Sequence, residues 1–129
     1  MKELEYPFDA AYIIKKRKSL KKALLADGTS RIRKKIAVFG GSTTSDIVKT
    51  LELFLLDAGI EPEFYESEYA QYFQDAMFPD ETLLSFKPDI VFIHTTNRNV
   101  TNWPEMTDTT EQIDEKLPTE INRFTAMWK

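Results

Sequence analysis

At 129 residues, 42% of them apolar and 29% charged, the chain is long enough for one domain with its own core and ordinary in composition for a globular protein. The absence of cysteine excludes a disulfide frame, a thiol nucleophile and a thiolate metal site. No apolar run approaches the roughly 20 residues of a membrane span, and the opening MKELEYPFDA has no secretory core, so a cytoplasmic location is expected.

Asp9 is placed to cap a first helix over 9–25 (DAAYIIKKRKSLKKALL), in which Ile13, Leu20 and Leu24 form an apolar stripe and Gly28 is a stop signal. Basic charge concentrates here. Residues 15–35 hold 10 of the 17 Lys and Arg residues against a single acid, Asp27, although the whole chain carries −4. Such a run marks either a nucleic-acid or membrane contact, or a helix face set against an acidic remainder. No aromatics are interleaved to stack bases, so the second reading is preferred and neither nucleic acid nor membrane is expected as a partner. LADGTS (25–30) carries the DGT of the haloacid-dehalogenase nucleophile motif, but Leu25 stands where that motif needs an aspartate and a helix precedes it where a strand is needed. Asp27–Gly28 is therefore read as a helix-ending turn.

KKIAVFGG (34–41) reads as a buried strand closing on glycine, and SDIVKTLELFLLDA (45–58) as an amphipathic helix with Gly59 as its C′ residue. EPEFYES (61–67) is expected as a second strand, followed by short helices over 68–77 and 79–86. KPDIVFIH (87–94) has four consecutive apolar residues, as expected for a strand covered on both faces. Residues 97–118 are polar and aperiodic and read as loop with a turn of helix; 118–129 reads as a helix with Thr119 as its cap. That helix reaches the last residue without a stop signal, which leads to the expectation of a longer parent chain.

Strand, helix, strand, helix, strand predicts an α/β three-layer sandwich with a parallel sheet of flavodoxin-like, Rossmann-like topology. The expected division is an N-terminal extension with the basic helix (1–33) and an α/β domain (34–129). Ligands in such sheets bind beyond the C-terminal strand ends, where the turns at 40–45, 66–69 and 94–99 converge. In the first of these, GGSTTS, glycine allows a sharp turn that exposes the Ser42 hydroxyl beside a helix N-terminus, a place suited to an anion or a developing oxyanion. The alternative is that Thr44 or Ser45 simply caps the helix. The turn lacks the lysine of GxxxxGK[ST] and the third glycine of GxGxxG. His94, the only histidine, ends the third strand and is the candidate base for Ser42. Asn97 and Asn99 are candidate amide donors, with turn formation as the alternative. A lone histidine gives no zinc site, and no carboxylate pair has diagnostic spacing, so no metal or cofactor is expected in this chain.

Two of these segments fall into a known order. VFGGSTT (38–44) resembles the first conserved block of the SGNH/GDSL hydrolases, FGDSxT, and FIHTTNRN (92–99) is similar to their third, GxND. The resemblance implies Ser42 as nucleophile, Asn97 as oxyanion-hole asparagine and the Ser42 N–H as a further donor, with Gly40, Gly41, Thr43, Thr44 and Asn99 lining the ligand. The departures are Gly41 for the block aspartate, Thr95 for the glycine and Arg98 for the aspartate after the asparagine. The second block and the DxxH block are absent. A narrower likeness runs over roughly 10–129, which resembles the N-terminal SGNH-like domain of the FkbH-like proteins, multidomain members of haloacid-dehalogenase subfamily IIIC. It implies a phosphatase-like C-terminal domain in the same chain, an acyl carrier protein as partner, and a small acyl or phosphorylated ligand. By itself this region is then expected to show little hydrolase activity. Two other readings stand beside it: a stand-alone serine esterase using Ser42 with His94, and a non-catalytic flavodoxin-like interaction module docking through the basic helix.

Overall fold

A computed structural model describes all 129 residues. After a 3-10 turn at Lys2–Leu4 come α1 (Ala10–Ala26), β1 (Ile32–Gly40), α2 (Ser45–Asp57), β2 (Ile60–Glu66), α3 (Tyr72–Met77), α4 (Glu81–Phe86), β3 (Ile90–His94), a second 3-10 turn at Asn97–Asn99, and α5 (Thr110–Trp128). Local chemistry explains most boundaries. The Asp9 carboxylate accepts the Tyr12 N–H at 3.0 Å and opens α1, while Asp27 accepts from Thr29 at 2.8 Å and Gly28 takes φ +70°, which ends the helix and confirms the turn. Gly59, at φ +87°, follows α2 as its C′ residue.

The sheet is parallel throughout, in the order β2-β1-β3. From the central β1 the chain crosses to β2 in one direction and then from β2 to β3 in the other, so right-handed crossovers put their helices on opposite faces. The packing agrees. On one face Leu4, Ile13, Leu20 and Leu24 pack with Leu53 and Leu56 of α2. On the other, Ala37 and Phe39 of β1 pack with Tyr72, Leu83 and Met127 from α3, α4 and α5. Alternation assigns the buried Ile36 and Val38 to the first face. The fold is thus the expected α/β sandwich, and the N-terminal extension shares a core with α2.

Two expectations are corrected. β3 is not covered on both faces: it is an edge strand, and Ile90, Val91 and Phe92 are each exposed. An uninterrupted apolar run says what a strand can bury, not which neighbour is present. The segment 97–118 is not mainly loop, because α5 begins at Thr110. Its start is set by a reciprocal capping box, with Thr109 Oγ1 accepting from the Gln112 N–H and Gln112 Oε1 accepting from the Thr109 N–H. Thr119, expected as the cap, and Pro118 both lie inside the helix. The helix before it is polar and packs little, which is why periodicity missed it.

Candidate functional site

The three strand-end turns are stitched together by hydrogen bonds at the C-terminal edge of the sheet. The N–H of Gly41 donates to the His94 carbonyl at 2.9 Å, extending the β1–β3 ladder by one residue. The N–H of Gly40 donates to Ser67 Oγ at 3.0 Å, and the Ser67 N–H returns to the Val38 carbonyl. Thr44 occupies the N-cap position of α2, but its hydroxyl is spent elsewhere: Oγ1 donates to Glu66 Oε1 at 2.9 Å and the residue is buried. The expected cap is there in position and not in hydrogen bonding.

Asn99 closes the third side. Its Nδ2 donates to the Gly41 carbonyl at 3.0 Å, and its Oδ1 accepts the Thr96 N–H at 2.8 Å. Thr96 Oγ1 in turn accepts the Arg98 N–H. A Cβ at Gly41 would fall on the Asn99 amide, so glycine here is a packing requirement. The space that a side chain at position 41 would need is filled from the third turn. A Cβ at Gly40 would likewise run into Thr44 and the Ser42 carbonyl.

What remains free is concentrated around Ser42. Its hydroxyl makes no hydrogen bond within the chain, and the half-buried residue sits between the glycines and α2. The backbone N–H groups from Ser42 through Ile47 have no acceptor either; the first bond of the helix is Val48 N–H to the Thr44 carbonyl. The one acid in the first turn, Asp46, is neutralised by Arg17 at 2.9 Å. A row of unengaged amides at a helix start, with its acid paired, is an electropositive spot.

Thr43 and Asn97 are exposed, and neither side chain is tied to the chain. His94 is half-buried, and by alternation its ring shares the sheet face of Ile36 and Val38, 6.2 Å from the ring of Phe92. Its Nδ1 is buried without a partner, and no hydrogen bond joins it to Ser42. No group of three or more His, Cys, Asp or Glu side chains is arranged to hold a metal. A cavity of about 720 Å³ lies at the other end of the strands, open and lined by charged side chains such as Arg33, Lys35, Glu61 and Lys87.

The third turn is held from below by residues that sequence reading did not single out. Glu120 on α5 is buried at 7% exposure and accepts from the Thr101 N–H at 3.1 Å, from Asn102 Nδ2 at 2.6 Å and from Arg123 at 2.9 Å. The hydrogen bond from Arg123 is the main reason its carboxyl is held down at about 2, with Thr101 and Asn102 adding to it against the opposing effect of burial. Arg123 also donates to the Asn99 carbonyl and, at 2.9 Å, to the Tyr72 hydroxyl, and its guanidinium lies 4.7 Å from the centre of the Phe124 ring. One arginine therefore ties α5 and α3 to the 97–99 turn. The Glu-x-x-Arg spacing (120, 123) was visible, but its meaning depended on a helix that was read two turns too short.

No protein-family model matches the chain, and no curated protein does. Among solved structures it is similar to the N-terminal part of the protein BF1531 from Bacteroides fragilis, described as containing a phosphatase domain complexed with Mg, at 19% identity with a TM-score of 0.64. The match takes in 86% of this chain but 29% of that one, so the likeness establishes a shared fold with one portion of a longer protein. No helix is long and apolar enough to cross a membrane.

Proposed function

We propose that this α/β unit is an accessory, SGNH-like domain of a protein of the FkbH-like, haloacid-dehalogenase-associated kind. In this reading it holds a small acyl or phosphorylated group, or the arm of a carrier protein, at the Ser42 turn. The observation that carries the reading is the unengaged row of N–H groups from Ser42 to Ile47 beside a free Ser42 hydroxyl. A carboxylate, phosphate or acyl oxygen is the complement of such a row. The fold shared with part of a phosphatase-containing protein supports the setting. Ser42 acts there as a hydrogen-bond donor or a transient acyl acceptor. Asn97 and Thr43 are free to contact the ligand, while Gly40, Gly41, Thr44 and Asn99 set the shape of the turn. His94 stands at the strand end without a hydrogen bond to Ser42, which is why this reading is placed before a self-sufficient esterase. The phosphatase-like C-terminal domain and the carrier protein belong to the same proposal.

Two measurements test it. Amide shifts of Ser45, Asp46 and Ile47 should move on titration with inorganic phosphate and with a phosphorylated three-carbon acid, and unmoved amides refute the cradle. Intact mass after a fluorophosphonate probe should show no adduct, or one that vanishes in Ser42→Ala. Robust turnover of p-nitrophenyl acetate, lost in both Ser42→Ala and His94→Ala, would replace this reading with the esterase.

A further inference from the structure

Asn99 joins the third turn to the first, and every polar group it has is engaged. Its N–H donates to the Thr96 carbonyl at 3.0 Å. Its carbonyl accepts from Arg123 Nη2 and, at 3.4 Å, from the Tyr72 hydroxyl. Its Oδ1 accepts the Thr96 N–H at 2.8 Å, and its Nδ2 donates to the Gly41 carbonyl at 3.0 Å. The neighbours settle which way the amide points. A backbone N–H only donates and a carbonyl only accepts, so oxygen faces Thr96 and nitrogen faces Gly41. The Gly41 carbonyl, in turn, belongs to the same peptide unit as the Ser42 N–H. That unit is trans and planar, so its C=O and N–H point in opposite directions. Holding the carbonyl against Asn99 Nδ2 therefore aims the Ser42 N–H. The preceding unit is held as well, because the Gly41 N–H donates to the His94 carbonyl at 2.9 Å. Glycine by itself resists a flip of the Gly41–Ser42 peptide only weakly. The resistance comes from Asn99, whose part-buried amide would lose its acceptor.

We propose that Asn99 and Arg123 are positioning residues for the Ser42 turn: Asn99 sets the direction of the Ser42 N–H through the shared peptide plane, and Arg123 holds Asn99 in place from α5. The proposal rests on the reading of that turn as a ligand cradle and deepens it, by giving a part in binding to two residues that touch no ligand. Arginine suits the task because its planar fork serves three acceptors at once: Glu120 at 2.9 Å, the Tyr72 hydroxyl at 2.9 Å and the Asn99 carbonyl. Glu120 anchors the fork and also accepts from the Thr101 N–H and from Asn102 Nδ2, just past the turn. The chain is therefore gripped on both sides of Val100 by one pair of side chains on α5. The same grip holds the 3-10 turn that carries Asn97, so both the Ser42 N–H and Asn97 take their direction from it. A lysine at position 123 would bring the charge without the fork.

NMR of the 129-residue protein tests this, with the Gly41 carbonyl carbon and the Ser42 amide as reporters. Arg123→Lys keeps a positive charge beside Glu120 and loses the fork. It should displace both resonances, displace Asn97 with them, and weaken binding of inorganic phosphate by about threefold or more. Tyr72→Phe removes only the second donor on the Asn99 carbonyl. It should displace the same resonances in the same direction by less, and it keeps the test valid if the arginine variant fails to fold. Thr125→Ala, whose hydroxyl bonds only to carbonyls of its own helix, should leave both where they are. A residue that merely stabilises the fold would lower the urea midpoint and leave the native Gly41 and Ser42 resonances unmoved. That result in the variants overturns the proposal. Displaced resonances with phosphate binding unchanged would overturn it too, since the direction of the Ser42 N–H would then not matter to the held group. Wild-type protein that binds no phosphate, with the resonances still displaced in the variants, would refute the cradle and support the hold of Arg123 and Asn99 on the turn.

Discussion

Glu120→Gln is the substitution that separates a latch from a coincidence. The wild-type carboxylate is buried, accepts from Thr101, Asn102 and Arg123, and is held at about 2. Its ordinary value is 4.5, so its folded value lies below its unfolded one. The stabilisation is therefore fully present above about pH 4.5 and is lost as pH falls toward 2. The full shift corresponds to about 3 kcal/mol; discounted for the solvent that still reaches Arg123, about 2 kcal/mol is the expected worth near neutral pH. Glutamine keeps the shape but loses the charge, and its NH2 cannot accept from all three donors. Urea unfolding should show a lower midpoint with an unchanged slope, and the loss should shrink between pH 4.5 and 2 as the wild type surrenders the same term. Because Arg123 also holds the Asn99 carbonyl, amide shifts at residues 96–99 should move in the variant. A variant less than about 0.5 kcal/mol weaker, or one with the wild type's acid sensitivity between those pH values, would refute the reasoning.

Gly41→Ala drives a Cβ into the anchored Asn99 amide and should cost about 1–3 kcal/mol, seen as a fall in Tm; adding Asn99→Ala should return part of it. Pro118→Ala supplies an N–H that α5 lacks at that point and should raise stability by about 1–3 kcal/mol, read from the same urea curves. Leu20→Ala opens a hole between α1 and α2 and should cost about 2–4 kcal/mol in a single cooperative transition, whereas an early separate loss of α1 would show that the N-terminal helix is not part of the same core. Ser42→Ala should change stability by no more than about 0.5 kcal/mol, since its hydroxyl makes no hydrogen bond, while weakening the ligand shifts read by NMR.

The parts of the molecule that were legible in the sequence are those decided locally. Asp9, Gly28 and Gly59 fix helix ends through their own backbone and side-chain chemistry, and the GGSTTS turn falls where a short apolar strand must give way to a helix. What was not legible depends on partners distant in the chain. Thr44 reads as a cap, yet its hydroxyl goes to Glu66, 22 residues away. Asn99 reads as a possible ligand donor, yet it spends its amide on Gly41, 58 residues away, and on Thr96. Both cases follow one physical rule: in a crevice where three turns meet, a short polar side chain satisfies the nearest unpaired backbone group first, and only the groups left over can serve a ligand. Applied here, that rule accounts for the Thr44 hydroxyl and the Asn99 amide and leaves the side chains of Ser42, Thr43 and Asn97 and the backbone N–H groups of 42–47 without a partner in the chain. It also accounts for how the turn is held. With Gly41 and Asn99 interlocked, the turn keeps its shape, and no space is left for a side chain at position 41. The geometry that survives is a free hydroxyl beside a row of backbone N–H groups with no acceptor in the chain, set behind an interlocked pair of turns.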